Sequence, residues 1–130
     1  MRKQYHNRDV NGDRHIWDVH KLVRASQGLP VVSVALADIS ELDELWWFQT
    51  AEDVPTPRSI AAHMQLVHET DLLYPVLLCS DGRLMDGMHR VVKALSEGRD
   101  TIHAIRFPQT PAPDFINVDV NSLPHDDEEA

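Results

Sequence analysis

Residues 84–98, LMDGMHRVVKALSEG, crowd an aspartate, a histidine and an arginine into the first turn of an expected helix. A helix start leaves backbone N–H groups without intrahelical acceptors and carries the positive end of the helix dipole. Gly87 lets a ligand approach the backbone closely. Arg90 offers a planar fork of donors that matches phosphate oxygens. His89 can donate a hydrogen bond and, near neutral pH, move a proton. Together these parts suit a phosphate group. Asp86 is then the helix cap, a metal contact beside the phosphate, or the group that orients His89. The same residues also describe a plain helix start: Asp86 caps, Gly87 eases a turn, and His89 and Arg90 face water.

Two flanking strands and a helix must hold this cluster in place. The run at 72–80, LLYPVLLCS, reads as a buried strand, and Asp81 and Gly82 mark a turn after it. Residues 84–86 pair back as a brief strand. The helix over 87–98 turns Val91, Val92 and Leu95 inward and ends at Gly98. The alternating stretch 101–107, TIHAIRF, is a last core strand. Upstream, residues 57–71 form a clear helix with Pro57 in the first turn and Thr56 as its cap, and Ile60, Met64 and Val67 line one face. Residues 16–28 show helical spacing at Ile16, Val19, Leu22 and Val23. Residues 29–39 are Val-rich and read as a strand. Residues 40–48 make one or two helical turns, with Ser40 and Asp43 in a capping-box-like pair. The two prolines in 49–57 make a loop. Prolines 108, 111 and 113 interrupt the end of the chain, and 115–124 forms an edge strand or a docking segment.

The organisation expected is a flexible N-terminal segment over 1–15, one domain over 16–108, and a C-terminal extension over 109–130 with an acidic tail. The fold class is mixed α/β, a small mixed sheet with flanking helices. There is no internal repeat and no low-complexity tract.

The 130 residues hold 21 acidic side chains against 12 Lys plus Arg, a net charge of −9. Without the four acids of the tail the body still carries −5, which disfavours DNA or RNA as a partner. No apolar run reaches the length of a membrane span, and the N-terminus does not read as a signal peptide. The single cysteine, Cys79, rules out an intramolecular disulfide and sits in an apolar run as a buried residue. A cytoplasmic protein is the expectation.

Residues 31–107 resemble the ParB/sulfiredoxin superfamily. The likeness is carried by Gly87, Met88, His89 and Arg90 at the helix start, by Gly98 after the helix, by Ile102 and Ala104 in the next strand, and by the order of elements before them. The resemblance implies nucleotide binding, with phosphates held at residues 87–90 and a basic residue of the preceding helix, Arg58, reaching them. Ligand contacts would come from Arg58, Gly87, Met88, His89 and Arg90. The branches differ in chemistry. Sulfiredoxins carry a catalytic cysteine where this chain has Met88, and a thioether is no thiolate nucleophile. ParB proper has a second arginine where His89 stands, and adds a helix-turn-helix domain. The form here most resembles small-molecule kinases that phosphorylate a free amino acid. In that reading ATP, ADP or CTP binds with Mg²⁺, His89 donates to a phosphate oxygen, and Asp86 acts as base or metal ligand. Asp86 and His89 are the catalytic candidates. Glu52 and Asp53 are further base candidates by position alone. The competing class is a non-catalytic regulatory or protein-binding module that retains the fold.

Eight histidines raise the question of a metal. His63 and His68 lie five apart, off a common helix face, and no HExxH or cysteine-pair spacing occurs, so no structural zinc is expected. His103 alternates with Ile105 and Phe107, so it either lines an inner sheet face near the site or, the favoured reading, is a satisfied core or surface histidine. Trp46, Trp47 and Phe48 are adjacent and cannot share a face. One should pack in the core, while an exposed one would stack on a base or form a homodimer contact.

Overall fold

A computed structural model describes residues 4–124. The chain folds as a mixed α/β domain with two sheets and three helices. The acidic tail, expected to be solvated, lies outside the described residues.

The first departure from expectation is at the start. Residues 4–15 are no loose lead-in. Strands β1 (Tyr5–Val10) and β2 (Asp13–Asp18) form an antiparallel hairpin, registered from Tyr5 opposite Asp18 to Val10 opposite Asp13. Asn11 and Gly12 link them at φ 51° and 89°, the two left-handed residues that a tight hairpin turn of matching twist requires. The hairpin buries Ile16 and Trp17, so Ile16 ends up in a strand and not in the expected helix. Helix α1 (Val19–Ser26) starts only after it, capped by the Asp18 carboxylate, which accepts from the His20 N–H at 2.9 Å.

Four strands form the main sheet in the order β3 (Val32–Ala35), β6 (Thr101–Arg106), β4 (Val76–Leu78), β5 (Leu84–Asp86). β4 and β6 run parallel, joined across helix α3 (Met88–Ser96), and the other pairs are antiparallel. The apolar run through β4 is explained by cores on both faces. Val76 and Leu78 face a cluster with Leu84, Met88, Val91 and Ala94. Leu77 and Cys79 face another with Trp17, Leu22, Met85 and Phe107. Cys79 is buried, as its apolar setting implies. In α3 the inward row is Met88, Val91 and Ala94, while Leu95 is exposed. His103 is exposed as well and lines no inner face.

Helix α2 (Pro57–Glu69) begins as expected. Pro57 is in its first turn, and the Thr56 hydroxyl accepts from the Ser59 N–H at 3.2 Å. Its packing is not as expected. It has no buried residue, and Ile60 and Met64 face solvent. The row turned inward is Ser59, His63 and Val67. Polar contacts dock it on α3: Lys93 Nζ donates to the carbonyls of His68 and Thr70 at 3.0 and 2.7 Å, a cation at the negative end of the helix.

The end of the chain is tied down too. β7 (Phe115–Ile116) adds to β2, Trp17 Nε1 donates to the Pro111 carbonyl at 2.8 Å, and the Asp114 carboxylate accepts from the Asp18 N–H at 2.8 Å. No helix among the described residues is long and apolar enough to cross a membrane.

Candidate functional site

β5 delivers the chain to the start of α3 at the edge of the main sheet. The N-cap is Gly87, at φ 108° and ψ 24°, and no side chain accepts a hydrogen bond at this end of the helix. Asp86, offered by the sequence as the cap, instead pairs with Arg90 at 3.1 Å, one turn on. Both side chains are about four-fifths buried, at 20% and 18% exposure. The Arg90 Nε is buried and has no hydrogen-bond partner among the described residues. The uncapped N–H groups, Asp86 and Arg90 open onto a cleft of about 700 Å³.

The cleft has an aromatic wall. Trp47 stacks on His63 and on His89, at ring centroid distances of 4.1 and 4.7 Å. The two imidazoles are hydrogen-bonded to each other, His63 Nδ1 to His89 Nε2 at 2.9 Å, so one donates and the other accepts. Trp46 stacks on His6 at 5.4 Å, and His6 stacks in turn on Trp17 at 5.5 Å. The adjacent tryptophans thus engage different partners. Both are half-buried, pack against the core cluster of Val76, Met88 and Val91 and line the cleft, while Trp17 is fully buried. Leu66, Glu69 and Thr70 close the cleft from the end of α2.

Burial, then the neighbouring His63 and Arg90, hold the His89 imidazole down to about 4. His63 is also lowered, by burial first, with Asp53 working against the shift. His6 is held down to about 3 by burial first and then by Arg8, Arg14 and Arg83. His89 is therefore neutral at pH 7: a hydrogen-bond donor or acceptor, not a cation.

A pH dependence of stability follows. The unfolded chain protonates these histidines near their ordinary value of 6.5, while the folded chain holds His89 neutral to about 4 and His6 to about 3. Unfolding takes up protons across that window. The contribution to stability is whole above pH 6.5 and falls as pH drops towards 4. Urea unfolding between about pH 4.5 and 6 should show uptake of about one proton for each of the two groups, and His89→Gln should remove one of them. A stability flat over that range would contradict the buried neutral imidazoles.

Of the residues the sequence singled out, Asp86, Gly87, Met88, His89 and Arg90 come together at the cleft. Arg58 does not line it. It is exposed in the first turn of α2, whereas the other end of that helix meets the cleft. Glu52 and Asp53 are exposed in the preceding loop, where the Asp53 carboxylate accepts from the Thr50 hydroxyl at 3.0 Å. Sequence reasoning missed Tyr5, His6 and Glu69 as cleft residues, and weighed His63 only as a metal ligand beside His68, not as the partner of His89. Asn11 and Gly12, between two runs of strand length, are the signal that could have placed Tyr5 and His6 in a hairpin. Among the described residues no group of three or more His, Cys, Asp or Glu is placed to hold a metal ion. Comparison with known proteins finds no matching family model, curated protein or solved structure.

Proposed function

We propose that this domain binds a nucleotide in the cleft at the start of α3, with the phosphates on the helix N-terminus and Arg90 and the base against the tryptophan and histidine wall. The observation that carries the reading is the uncapped N-terminus at Gly87, which faces a cleft of about 700 Å³ beside a largely buried arginine. The buried Arg90 Nε without a partner among the described residues fits an anion held beside it. The resemblance to the ParB/sulfiredoxin superfamily supports the same fold type and the same ligand class. Arg58 is left out of the phosphate contacts in this reading.

Phosphoryl transfer to a small acceptor is the reaction we attach to the site. The helix N-terminus and Arg90 stabilise charge on the transferring group, His89 donates to a phosphate oxygen, and Asp86 takes the acceptor's proton. Mg²⁺ would neutralise the phosphates; in the alternative role Asp86 would hold that ion, and the acceptor's proton would then pass to water. One observation favours the non-catalytic alternative: Asp86 is engaged by Arg90, and His89 by His63.

Thermal unfolding with millimolar ATP, ADP and CTP plus magnesium tests both readings. A ligand at about 100 times its dissociation constant adds about 2.7 kcal/mol, several degrees for a domain of this size. The shift should appear in the natural chain and vanish in Arg90→Ala. No shift with any nucleotide would overturn the proposal. A shift without phosphate turnover, given a pool of hydroxyl acceptors, would assign the binding module.

A further inference from the structure

A second pocket, of about 520 Å³, shares His6, Asn7, Trp46 and Gln49 with the cleft and opens between the β1–β2 hairpin and the loop before α2. In a chain with a net charge of −9, three arginines meet there: Arg8 from β1, Arg14 from β2 and Arg83 from the turn before β5. Arg8 is half-buried. Its guanidinium lies 5.2 Å from the Trp17 ring centroid, and its Nη1 donates to Cys79 Sγ at 3.5 Å. A thiol is a weak acceptor and a guanidinium has five N–H donors. Among the described residues no carboxylate pairs with Arg8. Arg8 therefore keeps N–H donors that no protein acceptor among the described residues takes, in a partly shielded position.

The other two arginines do have acidic partners, Asp9 at 3.3 Å from Arg14 and Glu44 at 3.4 Å from Arg83. Asp9 is 77% exposed, and Arg83 and Glu44 are about half exposed. Such solvated pairs have little net worth, so an incoming anion displaces them at small cost. Asp81, also on the rim, is exposed. The arginine fields nevertheless reach the pocket wall, since all three help to keep His6 neutral. The buried His6 Nε2 has no hydrogen-bond partner among the described residues.

We propose that this pocket is a second anion site, which takes a phosphate group, with Arg8 at its floor and Arg14 and Arg83 at its rim. Three arginines, supplied by two strands and a turn, line this one pocket. That suits the several oxygens of a tetrahedral phosphate better than a carboxylate, whose single plane is filled by one arginine fork. The phosphate comes either free or on a small phosphorylated molecule. The proposal is independent of nucleotide binding at α3.

Isothermal titration of the full chain with inorganic phosphate, glycerol 3-phosphate and malonate, at ionic strength matched with sodium chloride, tests it. Saturable binding of a phosphate is expected, weakened about tenfold by Arg14→Gln and by Arg83→Gln, because each removes a charge-assisted hydrogen bond. Both residues are exposed enough for their variants to fold, unlike Arg8 beside Trp17. Tighter binding of inorganic phosphate assigns the free ion, and tighter binding of the ester assigns a phosphorylated molecule. Malonate binding as tightly as either phosphate would overturn the assignment. So would the absence of saturable binding, or binding that survives both rim variants and is lost in Arg90→Ala, which would put the anion at α3.

Discussion

Gly87→Ala should lower the unfolding free energy by about 3 kcal/mol, the sum of a strained backbone and an overpacked core. At φ 108° an L residue is unfavourable before any contact is counted. The added Cβ would also stand 2.7 Å from Val76 Cγ1 and 2.8 Å from Arg90 Nη2. Val76 cannot give way. It has no exposed surface and belongs to β4, an interior strand of the main sheet. Arg90 can move, but only by leaving Asp86, which strands a largely buried carboxylate. The substitution therefore acts on fold and site together. Urea unfolding measures the first effect, and the thermal shift with nucleotide measures the second. A Gly87→Ala chain as stable as the natural one would refute this geometry.

Glu41→Ala should be at least as damaging, at about 3–4 kcal/mol, because it leaves a buried donor without an acceptor and opens a cavity. Glu41 sits in the 3-10 turn Ser40–Asp43 and is 2% exposed. Its carboxylate accepts from the Leu84 N–H at 2.5 Å and from the Ser40 hydroxyl at 2.5 Å. Leu84 begins β5, so a side chain from 43 residues upstream completes the strand that leads into the cleft at α3. Glu41→Gln keeps one acceptor oxygen and should cost roughly half as much. Urea midpoints rank the two variants. Amide hydrogen exchange at Leu84 should speed up in Glu41→Ala well before global unfolding, and unchanged exchange there would show that the contact is not held in solution.

Glu41 also shows why parts of the site were illegible in the sequence. Its stretch, SELDELWWF, reads locally as a helical turn, with Ser40 and Asp43 as a capping box. In the structure no side chain caps that turn, and Ser40 donates to Glu41 instead. Nothing local distinguishes a carboxylate that will be buried from its neighbours Asp43 and Glu44, which stay in water. The distinction is made by β5, which arrives from far along the chain with an unsatisfied N–H. His63 is a similar case. Five-residue spacing from His68 spoke against a shared site, and its actual partner, His89, lies 26 residues away on another helix.

Local physics did determine much. The Pro57 start and Thr56 cap of α2, the turn at Asp81 and Gly82, the buried run of β4 and the start of α3 at Gly87 all depend on neighbours within a few residues, and so they could be read directly. The clustering of residues 86–90 was legible for the same reason. What required the tertiary structure was every choice between equivalent local options. Asp86 could cap or pair, and Arg90 one turn later made it pair. The row of α2 that turns inward was decided by His89 and Lys93, and it ran against the helix's own apolar row. Arg58 suited a phosphate by type, but a helix docked by its far end carries its first turn away from the cleft. The hairpin at the N-terminus supplied a wall of the cleft because β7 and Trp17 hold it against the domain. Composition and spacing fix which groups can act. Long-range contacts fix which of those groups meet, because the free energy that aligns them comes from packing and hydrogen bonds between segments distant in the chain.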